Sequence, residues 1–113
     1  MEWNHLKTED TLEDIKKESF ERFVLIFKHS TRCSISSMAL DRLQRAWNAQ
    51  EVENVKPYYL DLVSYRAISN KIAEEFDVSH ESPQLLLIDK GNCVYHTSHM
   101  GISYNSLKRE ITS

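Results

Sequence analysis

The chain has 113 residues, of which 41% are hydrophobic and 27% are charged, as expected for one globular domain covering residues 1–113. Its formal net charge is −3, so we expect neither a basic face nor a nucleic-acid partner. The longest strongly apolar run, Phe23 to Phe27, is too short to cross a bilayer, and the N-terminus lacks the pattern of a secretory signal, which predicts a cytoplasmic protein that works away from membranes.

The first half of the chain predicts a helix, a buried strand and a second helix. The first helix covers residues 8–19, with Thr8 or Thr11 as its cap. Residues 23–27 are short, β-branched and aromatic, as in a strand that is covered on both faces. A polar turn follows, and from residue 34 to about residue 48 apolar side chains recur at helical spacing. This apolar stripe consists of Ile35, Ala39, Leu43 and Ala46.

The second half predicts three further strands and two further helices. Pro57 opens a strand in which Tyr58, Leu60 and Leu62 alternate with more polar positions. The remaining elements are a helix around residues 68–76, a buried strand over residues 84–89, a strand over residues 93–97 and a last helix that Ser103 caps. Residues 3–6 could add an edge strand.

This order of elements, α-β-α-β-α-β-β-α, predicts an α/β fold. The first βαβ unit implies a pair of parallel strands, and the closing hairpin adds antiparallel ones. We therefore expect a central mixed sheet of four or five strands with helices on both faces.

Cys33 is the main candidate for chemistry because it lies between a buried strand and the beginning of a helix. The unpaired N–H groups and the dipole at a helix N-terminus favour a thiolate, which is the nucleophile in disulfide exchange. Arg32 adds a positive charge, and the Ser36 hydroxyl could donate a hydrogen bond to the sulfur. The alternative is that Cys33 is a small apolar residue that closes a helix–sheet junction.

Pro83 is the second feature, since it stands between a helix and an apolar strand. By itself it would be an ordinary trans residue at a strand start, because cis bonds are a small minority of X–Pro bonds. Together with a cysteine after the first strand, it predicts a cis Ser82–Pro83 bond opposite Cys33.

These features together resemble thioredoxin over nearly the whole chain. The resemblance rests on the order of elements, the cysteine between strand and helix, the Ser82-Pro83 pair, the Lys90-Gly-Asn92 turn and the segment Met100-Gly-Ile-Ser103. Thioredoxins carry Cys-x-x-Cys, whereas this chain has Cys33-Ser-Ile-Ser36. With serine at the second position the motif cannot close an internal disulfide, so the resemblance implies a mixed disulfide that a third thiol reduces.

The segment Thr31-Arg-Cys-Ser-Ile-Ser36 is more closely similar to the monothiol bacilliredoxins, whose motifs include Thr-Cys-Pro-Ile-Ser. The resemblance implies an oxidoreductase in which Cys33 removes bacillithiol from modified client proteins. Bacillithiol is then a co-substrate, a second bacillithiol or a partner reductase restores the Cys33 thiol, and no tightly bound cofactor or metal is expected. The implied site residues are Cys33 as nucleophile, Arg32, Ser34 and Ser36 around the thiolate, and Thr31, Ser82, Pro83 and Gly101 in a substrate groove. Ser34 stands where that motif has proline.

Cys93 is predicted to be structural rather than a partner for Cys33. It follows the hairpin at the far end of a strand of six residues, roughly 20 Å from the active-site end, and a disulfide needs Cα atoms within about 7 Å. The histidines do not predict a metal site, because the spacing of His96 and His99 on a strand sends their side chains to opposite faces. His29, beside the first strand, is expected to be solvated; the alternative is that it lies near enough to Cys33 to tune the thiolate.

Two other functions remain open at this point. Monothiol glutaredoxins can carry iron–sulfur clusters, but their Cys-Gly-Phe-Ser motif has a glycine after the cysteine that this chain lacks. The other alternative is a thioredoxin-like interaction module in which Cys33 is inert.

Overall fold

Five strands and four α-helices make up residues 2–112, the part of the chain that the computed structural model describes. In chain order they are β1 (Asn4–His5), α1 (Glu9–Glu18), β2 (Phe23–His29), α2 (Ser34–Ala46), β3 (Val55–Asp61), α3 (Arg66–Phe76), β4 (Gln84–Asp89), β5 (Asn92–Ser98) and α4 (Tyr104–Thr112), with a 3-10 turn at His99–Gly101 before α4. None of these helices is long and apolar enough to span a membrane.

The strands form one mixed sheet in the order β1-β3-β2-β4-β5. β1, β3 and β2 are parallel, β4 runs antiparallel to β2, and β5 runs antiparallel to β4. This confirms the predicted α/β, thioredoxin-like fold, with five strands rather than four.

Alternating side chains of the central strands supply two cores, one on each face of the sheet. On one face Val24 and Ile26 of β2 pack with apolar residues of α1 and α3. On the other face Leu25 and Phe27 pack with residues of α2 and α4. The helices therefore cover both faces, and α2 holds its N-terminus at the sheet edge where β2 ends.

Local capping agrees with two of the predicted helix starts. Thr8 is the N-cap of α1, where its hydroxyl accepts a hydrogen bond from the N–H of Thr11. Ser103 precedes α4, and its hydroxyl accepts a hydrogen bond from the N–H of Ser106. Both side chains satisfy donors that a helix start leaves without an intrahelical acceptor.

Three sequence expectations are wrong in detail. Pro57 does not open β3, which begins at Val55. β1 pairs with β3 only from Tyr58 onward, so the side of β3 that faces β1 is unpaired at Pro57, where a proline is tolerated. Ile35 is 55% exposed rather than part of the core, because it lies in the first turn of α2, at the edge of the sheet. Ala46, in the last turn of the same helix, is exposed as well.

Candidate active site

Cys33 is the N-cap residue of α2. Its N–H donates to the carbonyl of Ser30, and its own carbonyl accepts from the N–H of Ser37, both at 3.1 Å. These two bonds fix the backbone where the turn after β2 enters the helix. The side chain is half-buried and makes no capping hydrogen bond. The backbone of Cys33 is thus fixed at the helix start, and the residue remains partly exposed to a reaction partner.

Pro83 lies at the same edge of the sheet as Cys33. Gln84, the first residue of β4, pairs with Lys28 near the end of β2, which places Pro83 beside the turn that carries the cysteine. The Ser82–Pro83 bond is cis, as predicted. The carbonyl of Pro83 accepts a hydrogen bond from the N–H of His99 at 3.1 Å, so the 3-10 turn is tied to the same edge.

The structure therefore brings most of the expected groove residues to one edge of the sheet. Thr31, Arg32 and Ser34 are exposed around Cys33. The Ser82 hydroxyl is buried and has no hydrogen-bond partner among residues 2–112. A Cβ atom at Gly101 would overlap the Thr97 side chain, which explains why a glycine suits this position.

An apolar groove between α2 and the 3-10 turn was not predicted. We call it the α2 groove; it has a volume of about 240 Å³ and is lined by Ile35, Met38, Ala39, Arg42, His99 and Met100. Met38 and Met100 are 65% and 83% exposed, so both thioethers face solvent. Met38, Ala39 and Arg42 are three, four and seven positions after Ile35, so they lie on the same side of α2 as Ile35.

Ser36 does not make the hydrogen bond expected from the sequence. It is fully buried, its oxygen accepts the N–H of Ser30 at 3.0 Å, and it lies 2.7 Å from Nδ1 of His29. Within residues 2–112 its hydroxyl has these partners rather than the sulfur of Cys33. Ser36 thereby fastens the first turn of α2 to the end of β2.

His29 is buried, so the prediction that it is solvated is wrong. β2 continues two residues beyond Phe27 because His29 pairs with Asp61 of β3. The His29 ring packs against the rings of Phe27 and Tyr59, and the centroids of the His29 and Tyr59 rings are 5.6 Å apart. Burial lowers the pKa of His29, and the carboxylate of Asp61 opposes this shift.

Comparison with known proteins identifies the family. Residues 4–107 match the family model described as monothiol bacilliredoxin BrxC. The chain belongs to this bacilliredoxin family.

Solved structures agree with this assignment. A protein described as a candidate oxidoreductase with a thioredoxin fold is 31% identical, with a TM-score of 0.79 over 93% of this chain and 89% of that one. Thioredoxin from Malassezia sympodialis is 14% identical, with a TM-score of 0.76 over 98% and 89% of the two chains. Thioredoxin from Fasciola hepatica is 19% identical, with a TM-score of 0.70 over 96% of each chain. The thioredoxins share the fold, and the family supports a redox enzyme of the thioredoxin-like class.

The second cysteine of this bacilliredoxin is far from the first. Cys93 pairs with Ile88, whereas the opposite end of β4 begins at Gln84 beside Pro83. Its thiol donates to the carbonyl of Tyr95 at 3.3 Å, and burial raises its pKa. Both cysteines are free thiols. Across residues 2–112 there is also no group of three His, Cys, Asp or Glu side chains that could hold a metal ion.

We expect the native bacilliredoxin to be alkylated faster at Cys33 than at Cys93 at pH 7. Burial raises the pKa of Cys93 and so leaves less thiolate there to react. Iodoacetamide labelling followed by peptide mass spectrometry measures both rates, and the urea-unfolded protein is the control, in which the two rates should converge. Equal native rates would contradict this assignment of the reactive cysteine.

Proposed function

We propose that this bacilliredoxin removes bacillithiol from mixed disulfides on protein cysteines. The observation that carries the proposal is that Cys33 stands at the N-cap of α2 while Ser36 fills the place of a second cysteine. Cys93 lies at the other end of β4 and cannot close a disulfide with it. A lone accessible sulfur suits a reaction that stops at a mixed disulfide with a small thiol.

In the proposed reaction the Cys33 thiolate attacks the bacillithiol sulfur of the client's mixed disulfide. A new disulfide forms between Cys33 and bacillithiol, the old one breaks, and the client sulfur leaves as a thiolate that takes up a proton. A second bacillithiol then attacks the adduct, which regenerates Cys33 and releases bacillithiol disulfide. Each step exchanges one disulfide for another, so it needs no tightly bound cofactor.

Charge and hydrogen-bond donors around Cys33 support the attacking thiolate. The first-turn N–H groups of α2 have no intrahelical acceptor and face the N-cap end. The Arg32 guanidinium is adjacent in the chain and exposed. Ser34 follows Cys33 directly and is also exposed, so its hydroxyl adds a polar group beside the sulfur.

The surroundings of Cys33 also suit a bound substrate. The α2 groove begins at Ile35, two residues after Cys33, and offers apolar walls to a client side chain. Ser82 adds a buried hydroxyl without a partner among the described residues. Thr31, Pro83 and Gly101 complete the proposed groove. The expected partners are bacillithiolated proteins and free bacillithiol in the cytoplasm, without nucleic acid or membrane.

Mass spectrometry of the reduced protein after exposure to bacillithiol disulfide tests this function. We expect one bacillithiol on Cys33 and a slower adduct with oxidised glutathione. Cys93→Ala should form the adduct like the parent, and Cys33→Ser should lose it. Adduct at Cys93 alone would contradict the proposal, as would no adduct at all. A brown protein with charge-transfer absorption would instead favour the iron–sulfur carrier, and an unreactive Cys33 the interaction module.

A further inference from the structure

The hydrogen bonds of the buried His29–Ser36 pair determine which of the two side chains donates the proton between them. Ser36 is fully buried and His29 is 6% exposed, so neither can rely on solvent. The Ser36 oxygen already accepts the N–H of Ser30. Leaving a buried O–H without an acceptor is unfavourable, and Nδ1 of His29, 2.7 Å away, is the acceptor that the structure provides. The Ser36 hydroxyl therefore donates to His29, whose Nδ1 is unprotonated.

This hydrogen-bond pattern leaves one acceptor lone pair of the Ser36 oxygen unused. A serine hydroxyl donates one hydrogen bond and accepts two. Its donor is used by His29 and one acceptor position by Ser30, so one lone pair is free. Cys33 is the N-cap of α2 and Ser36 its third residue, so the two side chains belong to the same helical turn. The free lone pair of Ser36 therefore lies within one helical turn of the Cys33 thiol.

We propose that His29, acting through the Ser36 hydroxyl, accepts the proton that Cys33 loses when it becomes a thiolate. This inference rests on Cys33 being the nucleophile of the proposed function. The S–H bond of Cys33 breaks and its proton binds the Ser36 oxygen, while the Ser36 proton passes to Nδ1 of His29. The net products are a thiolate and an imidazolium, and no electrons are gained or lost. The reverse transfer returns the proton when the thiol is restored.

The groups that face His29 are compatible with a transient imidazolium. From β3, Asp61 is its register partner and Tyr59 packs against its ring. From α2, Ser36 contacts it and Cys33 lies one helical turn before Ser36. Lys28, the neighbouring cation in the chain, points to the opposite face of the sheet, where it bonds the carbonyl of Ser69. The Asp61 carboxylate favours the protonated ring, whereas burial favours the neutral ring that holds Ser36 at rest.

The pH profile of Cys33 alkylation between about pH 5 and pH 9 tests this relay in a Cys93→Ala background. Because thiol and imidazole titrate as a coupled pair, the logarithm of the rate should rise in two steps. His29→Gln keeps a polar partner for Ser36 but does not titrate. It should show one step and a rate at pH 7 about tenfold lower. Ser36→Ala should behave in the same way, and Ser36→Thr should restore both steps because it keeps the hydroxyl.

His80→Gln is the matched control, since His80 contacts Lys28 rather than Ser36. It should leave both steps unchanged. Two steps in His29→Gln with an unchanged rate would overturn the proposal. If that variant does not fold, NMR titration of His29 in the parent decides instead: blocking Cys33 with a neutral alkyl group should lower its midpoint by about one pH unit, and an unchanged midpoint would refute the relay. Alkylation uses no bacillithiol, so a failed relay leaves the substrate proposal standing, and the reverse also holds.

Discussion

Replacing Cys33 by alanine is expected to abolish turnover in an assay of mixed-disulfide reduction, whereas Cys93→Ala should keep most of the activity. Cys33 is the thiol at the N-terminus of α2, the other cysteine of the chain, Cys93, lies in β5, and the thiolate sulfur is the atom that attacks. Cys93 is at the far end of β4, where it hydrogen-bonds Tyr95 rather than the adduct. The loss for Cys33→Ala should therefore reach the uncatalysed rate.

The assay follows the release of bacillithiol from a bacillithiolated client with free bacillithiol as the reductant. Far-ultraviolet circular dichroism of each variant controls for folding. The client's own rate with bacillithiol alone gives the background. If Cys93→Ala were as inactive as Cys33→Ala, the single-thiol cycle would be wrong, and a cycle with two cysteines, shared between subunits, would replace it.

The free energy of unfolding should depend on pH through Lys28, and the substitution Lys28→Met should remove that dependence. Lys28 is fully buried in β2, where its ammonium donates to the carbonyl of Ser69 at 3.1 Å and lies 3.4 Å from Nδ1 of His80. Within residues 2–112 no carboxylate forms an ion pair with it. Burial lowers its pKa from 10.5 to about 8, because the charged form is poorly solvated there.

The sign of the effect follows from proton binding in the two states. Between about pH 8 and 10.5 the unfolded chain keeps a proton on Lys28 that the folded protein has lost. Stability therefore rises with pH across this range. From pH 7 to about pH 9.5 the Lys28 contribution to the free energy of unfolding should increase by about 2 kcal/mol. At about pH 7 and below, Lys28 is protonated in both states, so the cost of burying its charge no longer changes with pH.

Urea unfolding at several pH values measures this difference between the parent and Lys28→Met. Lys56→Met is the matched control: Lys56 hydrogen-bonds Glu18, which raises its pKa, so its effect on stability should be constant over the same range. Subtracting the free energy of unfolding of the parent from that of the variant at each pH cancels the contributions from titration of the tyrosines and Cys93. Parallel pH curves for the parent and Lys28→Met would show that the buried ammonium does not titrate in this range.

The sequence was sufficient for the order of elements and for the place of Cys33, because buried strands, caps and helical stripes are local patterns. It did not predict the burial of His29. A polar residue after an apolar run is typical of a turn, and only pairing with Asp61 of β3 extends β2 to include it. The same pairing places His29 within hydrogen-bond distance of Ser36. The spacing along the chain had instead predicted Cys33 as the hydrogen-bond partner of Ser36.

The α2 groove was missed for a related reason. Helical periodicity places Ile35 and Ala39 on one face, but it does not tell where the sheet ends beneath that face. Ala39 lies over the sheet and is buried, whereas Ile35 lies at its edge and is exposed. Met100 comes from the turn after β5. The hydrogen bond from His99 to Pro83 ties that turn to the start of β4, and Arg42 ties it to α2 by donating to the carbonyl of Ile102. Such juxtapositions depend on tertiary structure rather than on spacing.

The separation of Cys33 from Cys93 along β4 also sets the stoichiometry of the proposed cycle. A protein with two neighbouring cysteines can release its client by itself and leave with an internal disulfide. In the proposed cycle each molecule would hold one small thiol until another thiol arrives. Its rate would then be limited by the concentration of free thiol, and it would fall as that thiol becomes oxidised. The occupied fraction of Cys33 would accordingly report the redox state of the pool from which it is recharged.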